Sequence, residues 1–208
     1  MTDNTNDSGT FLITLARPNP ENADALAQYS EEAPSLGMQY GMQLIAQFKV
    51  VDQIFGEHHA AIVSVVQFPD ANAITGMFES EAYQPLIALR EQAFTSIHYY
   101  ISTPDQSLTI DNTEDKTYLL VTATPADKAS LGEYQQHMRP MAASYGAQPI
   151  INIPIASTYL GEHPSALLSI TEFPEPDSIR NFFGADEYQP FLPLREKALS
   201  HLNLYIAQ

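Results

Sequence analysis

Tyr83-Gln84-Pro85 recurs as Tyr188-Gln189-Pro190, a step of 105 residues in a chain of 208. The same step carries Leu89-Arg90-Glu91 onto Leu194-Arg195-Glu196, Gly56-Glu57-His58 onto Gly161-Glu162-His163, Phe68-Pro69 onto Phe173-Pro174, and Tyr40-Gly41 onto Tyr145-Gly146. From Leu26 to Ser102 the two copies align without a gap, with 24 identities in 77 positions. The opening segments, Thr10 to Pro18 and Thr117 to Pro125, match at a step of 107, so the copies differ by two residues between first strand and first helix. Solenoid repeats run about 20–45 residues and occur in longer arrays. This period instead describes a duplicated domain. The organisation read from it is a first repeat at 10–102, a second at 117–208, a polar acidic linker at 103–116, and a disordered tail at 1–9.

Within one copy the apolar pattern changes period in a definite order. Phe11 to Ala16, ended by Pro18, predicts a strand, matched by Tyr118 to Ala123. Leu26, Tyr29, Ala33 and Leu36 fall at helical spacing, as do Leu131, Tyr134, Met138 and Met141. Pro34 and Pro140 are expected to kink or shorten this helix, and Gly41 to close it in the left-handed region. Gln43 to Ile54 and Ala61 to Phe68 predict two strands about a turn at Gly56. A helix follows with Asp70 as its N-cap, and Asp177 in the second copy. It is interrupted near Ser80, which is placed to cap a segment running through Arg90. Ile97 to Ile101 and Leu202 to Ile206 close each copy as strands. Strand, helix, strand, strand, helix, strand is the split βαβ or ferredoxin-like order, an α+β fold. Its helices cover one sheet face, so the other apolar face must be hidden. Two copies on one chain predict a sheet-to-sheet pair, an intramolecular α+β barrel. The chain would then be a pseudo-dimer in itself, with a further homodimer left open.

Charge narrows the partners. Nine Lys and Arg against twenty-five Asp and Glu give a net charge of -16. Such a surface repels phosphate backbones and anionic lipid, so neither nucleic acid nor membrane is expected. With no cysteine, thiol nucleophiles, disulfides and cysteine metal sites are excluded. The opening Met-Thr-Asp-Asn-Thr-Asn-Asp-Ser-Gly has neither a basic nor an apolar signal region, and the expectation is a cytoplasmic protein.

The phrase Gly56, Phe68-Pro69, Ala73, Ser80, Tyr83-Gln84, Leu89-Arg90, repeated as Gly161, Phe173-Pro174, Glu187-Tyr188-Gln189, Leu194-Arg195, resembles the domain-of-unknown-function family numbered 1330. That family belongs to the dimeric α+β barrel superfamily. The resemblance implies the barrel fold and no settled activity. Its wider relatives include cofactor-independent monooxygenases, haem-degrading proteins and small-ring isomerases. The chain departs from the family where a basic residue follows the glycine after the first helix: Met42 and Ala147 stand there. It departs again at His58-His59 and His163-Pro164, where an aromatic-basic pair is usual.

Polar residues kept by both copies supply the site candidates: Tyr29/Tyr134, Tyr40/Tyr145, Glu57/Glu162, His58/His163, Tyr83/Tyr188, Gln84/Gln189, Arg90/Arg195 and Glu91/Glu196. A Glu-His turn suits proton transfer, but neighbours in an extended segment point opposite ways, which favours a solvated or structural turn. Only one copy has two histidines there, so no metal is expected. Tyr83 and Arg90 lie two helical turns apart and share a face. Arg90 suits a carboxylate ligand, although an ion pair with a neighbouring acidic residue is the plainer expectation. No phosphate loop, nucleophile elbow or dinucleotide fingerprint occurs, and no cofactor is called for. The candidates for ligand contact are His58, Tyr83 and Arg90 with their copies His163, Tyr188 and Arg195, and no residue is singled out as catalytic. Two readings follow. One is a barrel binding a small hydrophobic or aromatic compound, with cofactor-free catalysis open. The alternative is a non-catalytic structural or interaction module, whose shared polar groups satisfy one another and enclose no cavity.

Overall fold

Alternating side chains bury both faces of the first strand, β1 (Thr10–Pro18). Phe11, Ile13 and Leu15 are fully buried on one face, and Leu12, Thr14 and Ala16 are turned to the helices on the other. In this computed structural model, which describes residues 9–104, 107, 108, 110 and 116–208, the first repeat continues with α1 (Ala23–Gln39), β2 (Gln43–Phe55), β3 (Ile62–Phe68), α2 (Ala71–Glu79), α3 (Gln84–Ala93) and β4 (Phe94–Ser102). The second repeats it with β5 (Thr117–Pro125), α4 (Lys128–Ser144), β6 (Gln148–Leu160), β7 (Leu167–Phe173), α5 (Pro176–Gly184), a 3-10 turn (Gln189–Phe191), α6 (Leu192–Ala198) and β8 (Leu199–Ala207). The proposed tail lies almost wholly outside the described residues, as does much of the proposed linker.

β1 pairs antiparallel with β3, Thr14 opposite Ser64, and with β4, Thr14 opposite Tyr99. β5 pairs the same way with β7 and β8. The hydrogen-bonded order is β1-β3-β2-β8-β5-β7-β6-β4 and closes into a barrel. The fold is therefore the duplicated α+β barrel anticipated from the repeat.

The compact units do not coincide with the repeats. The first unit holds β1, α1, β2 as far as Phe48, β3, α2, α3 and β4, together with Ala156–Glu162 from the second repeat. The second holds Lys49–His59 from the first repeat with β5, α4, β6 as far as Ile155, β7, α5, α6 and β8. Thirteen residues let β2 and β6 do this: each serves its own repeat first and then a sheet edge of the other. In the second unit Val50 to Phe55 pair with β8, and Lys49 and Gln208 exchange both backbone hydrogen bonds.

Local expectations mostly hold, with instructive exceptions. Asp70 accepts a hydrogen bond from the Ala73 amide at 2.8 Å and caps α2, a contact worth about 1 kcal/mol. Asp177 does not cap α5. Pro176, with φ preset for a first helical turn, starts that helix after Glu175, and Asp177 instead holds Arg180 at 2.7 Å. Nor do the prolines shorten α1 and α4, which run five and four residues past Pro34 and Pro140. Ser80 accepts from the Tyr83 amide and donates to the Met77 carbonyl, bridging α2 to α3.

Gly161 has a φ of +105°, and a Cβ there would run into the His98 ring. Gly161→Ala is expected to lower stability by about 1–3 kcal/mol in urea unfolding. Gly132, inside α4 with open space around it, gives the opposite sign: Gly132→Ala raises stability by about 0.4–1 kcal/mol. Equal effects at both sites would contradict this assignment.

Candidate functional site

In the first unit, the face of α1 carrying Leu26, Tyr29 and Ala33 stands over the sheet without filling the space beneath it. A cavity of about 280 Å³ remains, bounded by those residues, by Leu12, Thr14 and Ala16 of β1, by Ile62, Ser64 and Val66 of β3, and by Phe78, Tyr83, Ile97 and Tyr99. Its polar groups gather at one end. The Tyr29 hydroxyl lies 2.8 Å from that of Tyr83 and 2.8 Å from that of Tyr99. Arg90 donates to the Tyr83 hydroxyl at 3.4 Å and sits 6.0 Å from the centre of the Tyr99 ring. Phe78 packs on Tyr83, Tyr99 and Tyr159, which locks the rings in place.

Arg90 is buried, and no carboxylate pairs with it among the described residues. This corrects the ion pair expected from its acidic neighbourhood: Glu91 next to it is exposed. Two tyrosines take the place of the counter-ion, one through its hydroxyl and one through its ring face.

A proton count follows from this geometry. Three tyrosines bring three hydroxyl hydrogens, two bonds among them use two, and Arg90 contributes its own donor. One hydroxyl hydrogen is left for an acceptor outside the cluster. Burial pushes Tyr29 far above the usual tyrosine range, with the Tyr83 hydroxyl adding to it, and burial with Tyr29 does the same to Tyr99. The pull of the Arg90 charge in the other direction is weaker. The Tyr29 and Tyr99 hydroxyls therefore stay protonated at neutral pH and serve as donors, not bases.

The second unit repeats the frame with one hydroxyl fewer. Tyr134 and Tyr188 share a 2.8 Å bond, and Arg195 donates to Tyr188 at 3.3 Å. Leu204 stands where the first repeat has Tyr99. Arg195 lies 4.4 Å from the centre of the Phe55 ring, and its Nε is buried without a hydrogen-bond partner among the described residues. Again one hydroxyl hydrogen is surplus. A cavity of about 300 Å³ runs between α4 and the sheet, lined by Tyr134, Met138, Phe182, Phe183 and Leu204 among others.

The structure thus brings together Tyr83 with Arg90 and Tyr188 with Arg195. His58 and His163 belong to the second unit, where their rings stack at 5.2 Å. His58 is buried; its amide donates to Asn203 and its carbonyl accepts from the Tyr205 hydroxyl. His163 borders a polar hollow with Glu57, His201 and Asn203. Among the described residues no group of three His, Cys, Asp or Glu side chains is arranged to hold a metal. Tyr29 and Tyr134 were visible as shared residues on a helical face but were not placed in the site. Tyr99 was missed because it differs between copies, and comparing the copies with each other selects against such a residue.

Sheet order, helices on one face and duplicated cavities define a protein of the dimeric α+β barrel class. The chain belongs to the family described as Domain of unknown function (DUF1330), which matches residues 11–101 and again 116–208. A comparison with curated proteins finds no match. Among solved structures, the chain resembles an anthrone oxidase-like protein at 12% identity, covering 97% of this chain and 92% of that one, with a TM-score of 0.58. A mutant chlorite dismutase from Candidatus Nitrospira defluvii is similar at 9% identity over 97% and 92%, with a TM-score of 0.55. A candidate monooxygenase from Fusobacterium nucleatum is similar at 10% over 97% and 92%, with a TM-score of 0.51. At these identities the likeness concerns the fold. Among the described residues no helix is long and apolar enough to cross a membrane.

The buried tyrosines set an alkaline limit. Burial holds Tyr29, Tyr99 and Tyr134 above the ordinary value of 10.0 and pushes Tyr100 up to about 12. Above pH 10 the unfolded chain releases these protons and the folded chain keeps them, so folding stability falls as pH rises. The urea midpoint is expected to be flat between pH 7 and 9 and to drop steeply above 10. Tyr29→Phe should make that drop shallower. A drop of the same steepness in this variant would mean that Tyr29 titrates normally.

Proposed function

We propose that the first unit's cavity binds a small, largely apolar compound that presents an oxygen acceptor to Tyr29, Tyr83 and Tyr99. The surplus hydroxyl hydrogen carries this reading: a buried donor left over at the polar end of an apolar cavity is matched by a ligand oxygen. Arg90 supports it from behind. By donating to Tyr83 it polarises the chain of hydroxyls toward the cavity. Tyr188 and Arg195 hold the corresponding place in the second unit. His58 and His163 take no part in this reading.

The alternative, a non-catalytic module whose shared polar groups are structural, is favoured by the tyrosines' bonding to one another. It predicts no enclosed cavity; the space of about 280 Å³ beside the tyrosines is partly open to solvent, and the surplus hydroxyl hydrogen is what weighs against it.

Binding of a fused-ring ketone discriminates the two readings. Calorimetric titration reads both probes free of the optical background that the chain's eleven tyrosines would give. Anthrone is expected to bind saturably, and dihydroanthracene, which lacks the carbonyl, about tenfold more weakly, as the loss of one buried hydrogen bond implies. Tyr29→Phe leaves Tyr83 and Tyr99 each with a hydroxyl hydrogen to give, so the preference for anthrone should persist in that variant. Equal affinity for both probes in the wild-type chain would overturn the oxygen-recognition reading, and failure of both to bind would favour the structural module.

A further inference from the structure

The second unit's cavity corresponds to the first in position and differs from it in chemistry. Leu204 stands for Tyr99, Met138 for Ala33 and Phe182 for Met77, so its walls have lost a hydroxyl and gained apolar bulk. At the same 105-residue step Arg139 replaces Pro34, and both line their cavities. Arg139 is exposed, so it stands at the solvent side of the walls. No carboxylate pairs with it among the described residues. Only nine of the chain's 208 residues are Lys or Arg. Placing one of them, unpaired, at the open end of an apolar cavity selects for an anion with an apolar body.

The charge of such a ligand would stay at the mouth. Apolar walls do not repay the desolvation of a carboxylate. The deeper guanidinium, that of Arg195, is held between Tyr188 and Phe55 and does not line the cavity. A guanidinium at the rim binds a carboxylate through paired hydrogen bonds while both remain partly hydrated. Volume sets the size of the body: about 300 Å³ holds on the order of ten methylene-sized groups at roughly 30 Å³ each.

The geometry points to a second ligand site in the second unit, specific for a monocarboxylate with an apolar body of about ten carbons. The body lies among Leu119, Met138, Phe182 and Leu204, and the carboxylate lies on Arg139. This site is independent of the ketone-binding reading of the first cavity.

Calorimetric titration of the full chain with decanoate, decanol and decylamine tests it. One decanoate is expected per chain, bound about tenfold more tightly than decanol, with decylamine weakest, as one charge-assisted contact implies. Arg139→Glu, a surface change that leaves the core intact, should reverse the order of decanoate and decylamine. Leu204→Tyr, which installs the first repeat's own residue, should weaken all three. Ala33→Met, which narrows the first cavity, should leave all three unchanged. Absence of saturable decanoate binding would overturn the proposal. So would a preference for decanoate that survives Arg139→Glu, or loss of binding in Ala33→Met.

Discussion

Each compact unit depends on a strand that the other repeat supplies. β4 and β8 would otherwise end their sheets as open edges, with unpaired backbone groups along their length. β6 closes the first and β2 the second. The exchange reaches into both sites. Tyr159, carried by β6, stacks on Phe78 at 4.7 Å in the first unit. Phe55, carried by β2, forms the platform for Arg195 in the second. The borrowed strands thus brace the aromatic and guanidinium clusters as well as edge the sheet. Gly56 and Gly161, which end them in the left-handed region, face Asn203 and His98 at equivalent places.

On that frame the polar chemistry is sparse and concentrated. A guanidinium without a carboxylate is costly to bury unless its donors are met. Tyrosine meets part of that need: its hydroxyl accepts from one N–H while an aromatic ring face attracts the cation. The result is a cluster with one hydroxyl hydrogen to give. The surrounding rings, Phe78 and Phe94 in the first unit and Phe182 and Phe183 in the second, hold the hydroxyls in fixed positions. A donor that needs no rearrangement loses little entropy when an acceptor arrives.

Much of the fold could be read from the 105-residue step, and the order of elements from the change in apolar period. What could not be read is informative. The shared strands left one trace, the length of β2 and β6: thirteen residues against seven for β3 and β7. The excess is the part that crosses to the other unit, and strand periodicity does not say which partner a strand finds. The prolines of α1 and α4 lie on helices long enough to absorb one lost hydrogen bond. Tyr83 with Arg90 was legible because seven residues bring a helical pair to one face. Tyr29 was visible because both copies keep it; Tyr99 and Arg139 were hidden because they differ between the copies, and self-comparison treats difference as noise.

That difference is what a tandem chain makes available. In a homodimer one gene sets both copies, and a change from tyrosine to leucine at one cavity occurs at the other as well. Here Tyr99 and Leu204, Pro34 and Arg139, and Ala33 and Met138 have separated while the shared Tyr-Arg pair and the strand exchange have stayed. The shared residues include Tyr29, Tyr83 and Arg90 with their copies Tyr134, Tyr188 and Arg195, and the separated ones, Tyr99 among them, line the cavities. Two cavities of similar volume with unlike walls are the outcome expected when the scaffold must be kept in both halves and the ligand need not be.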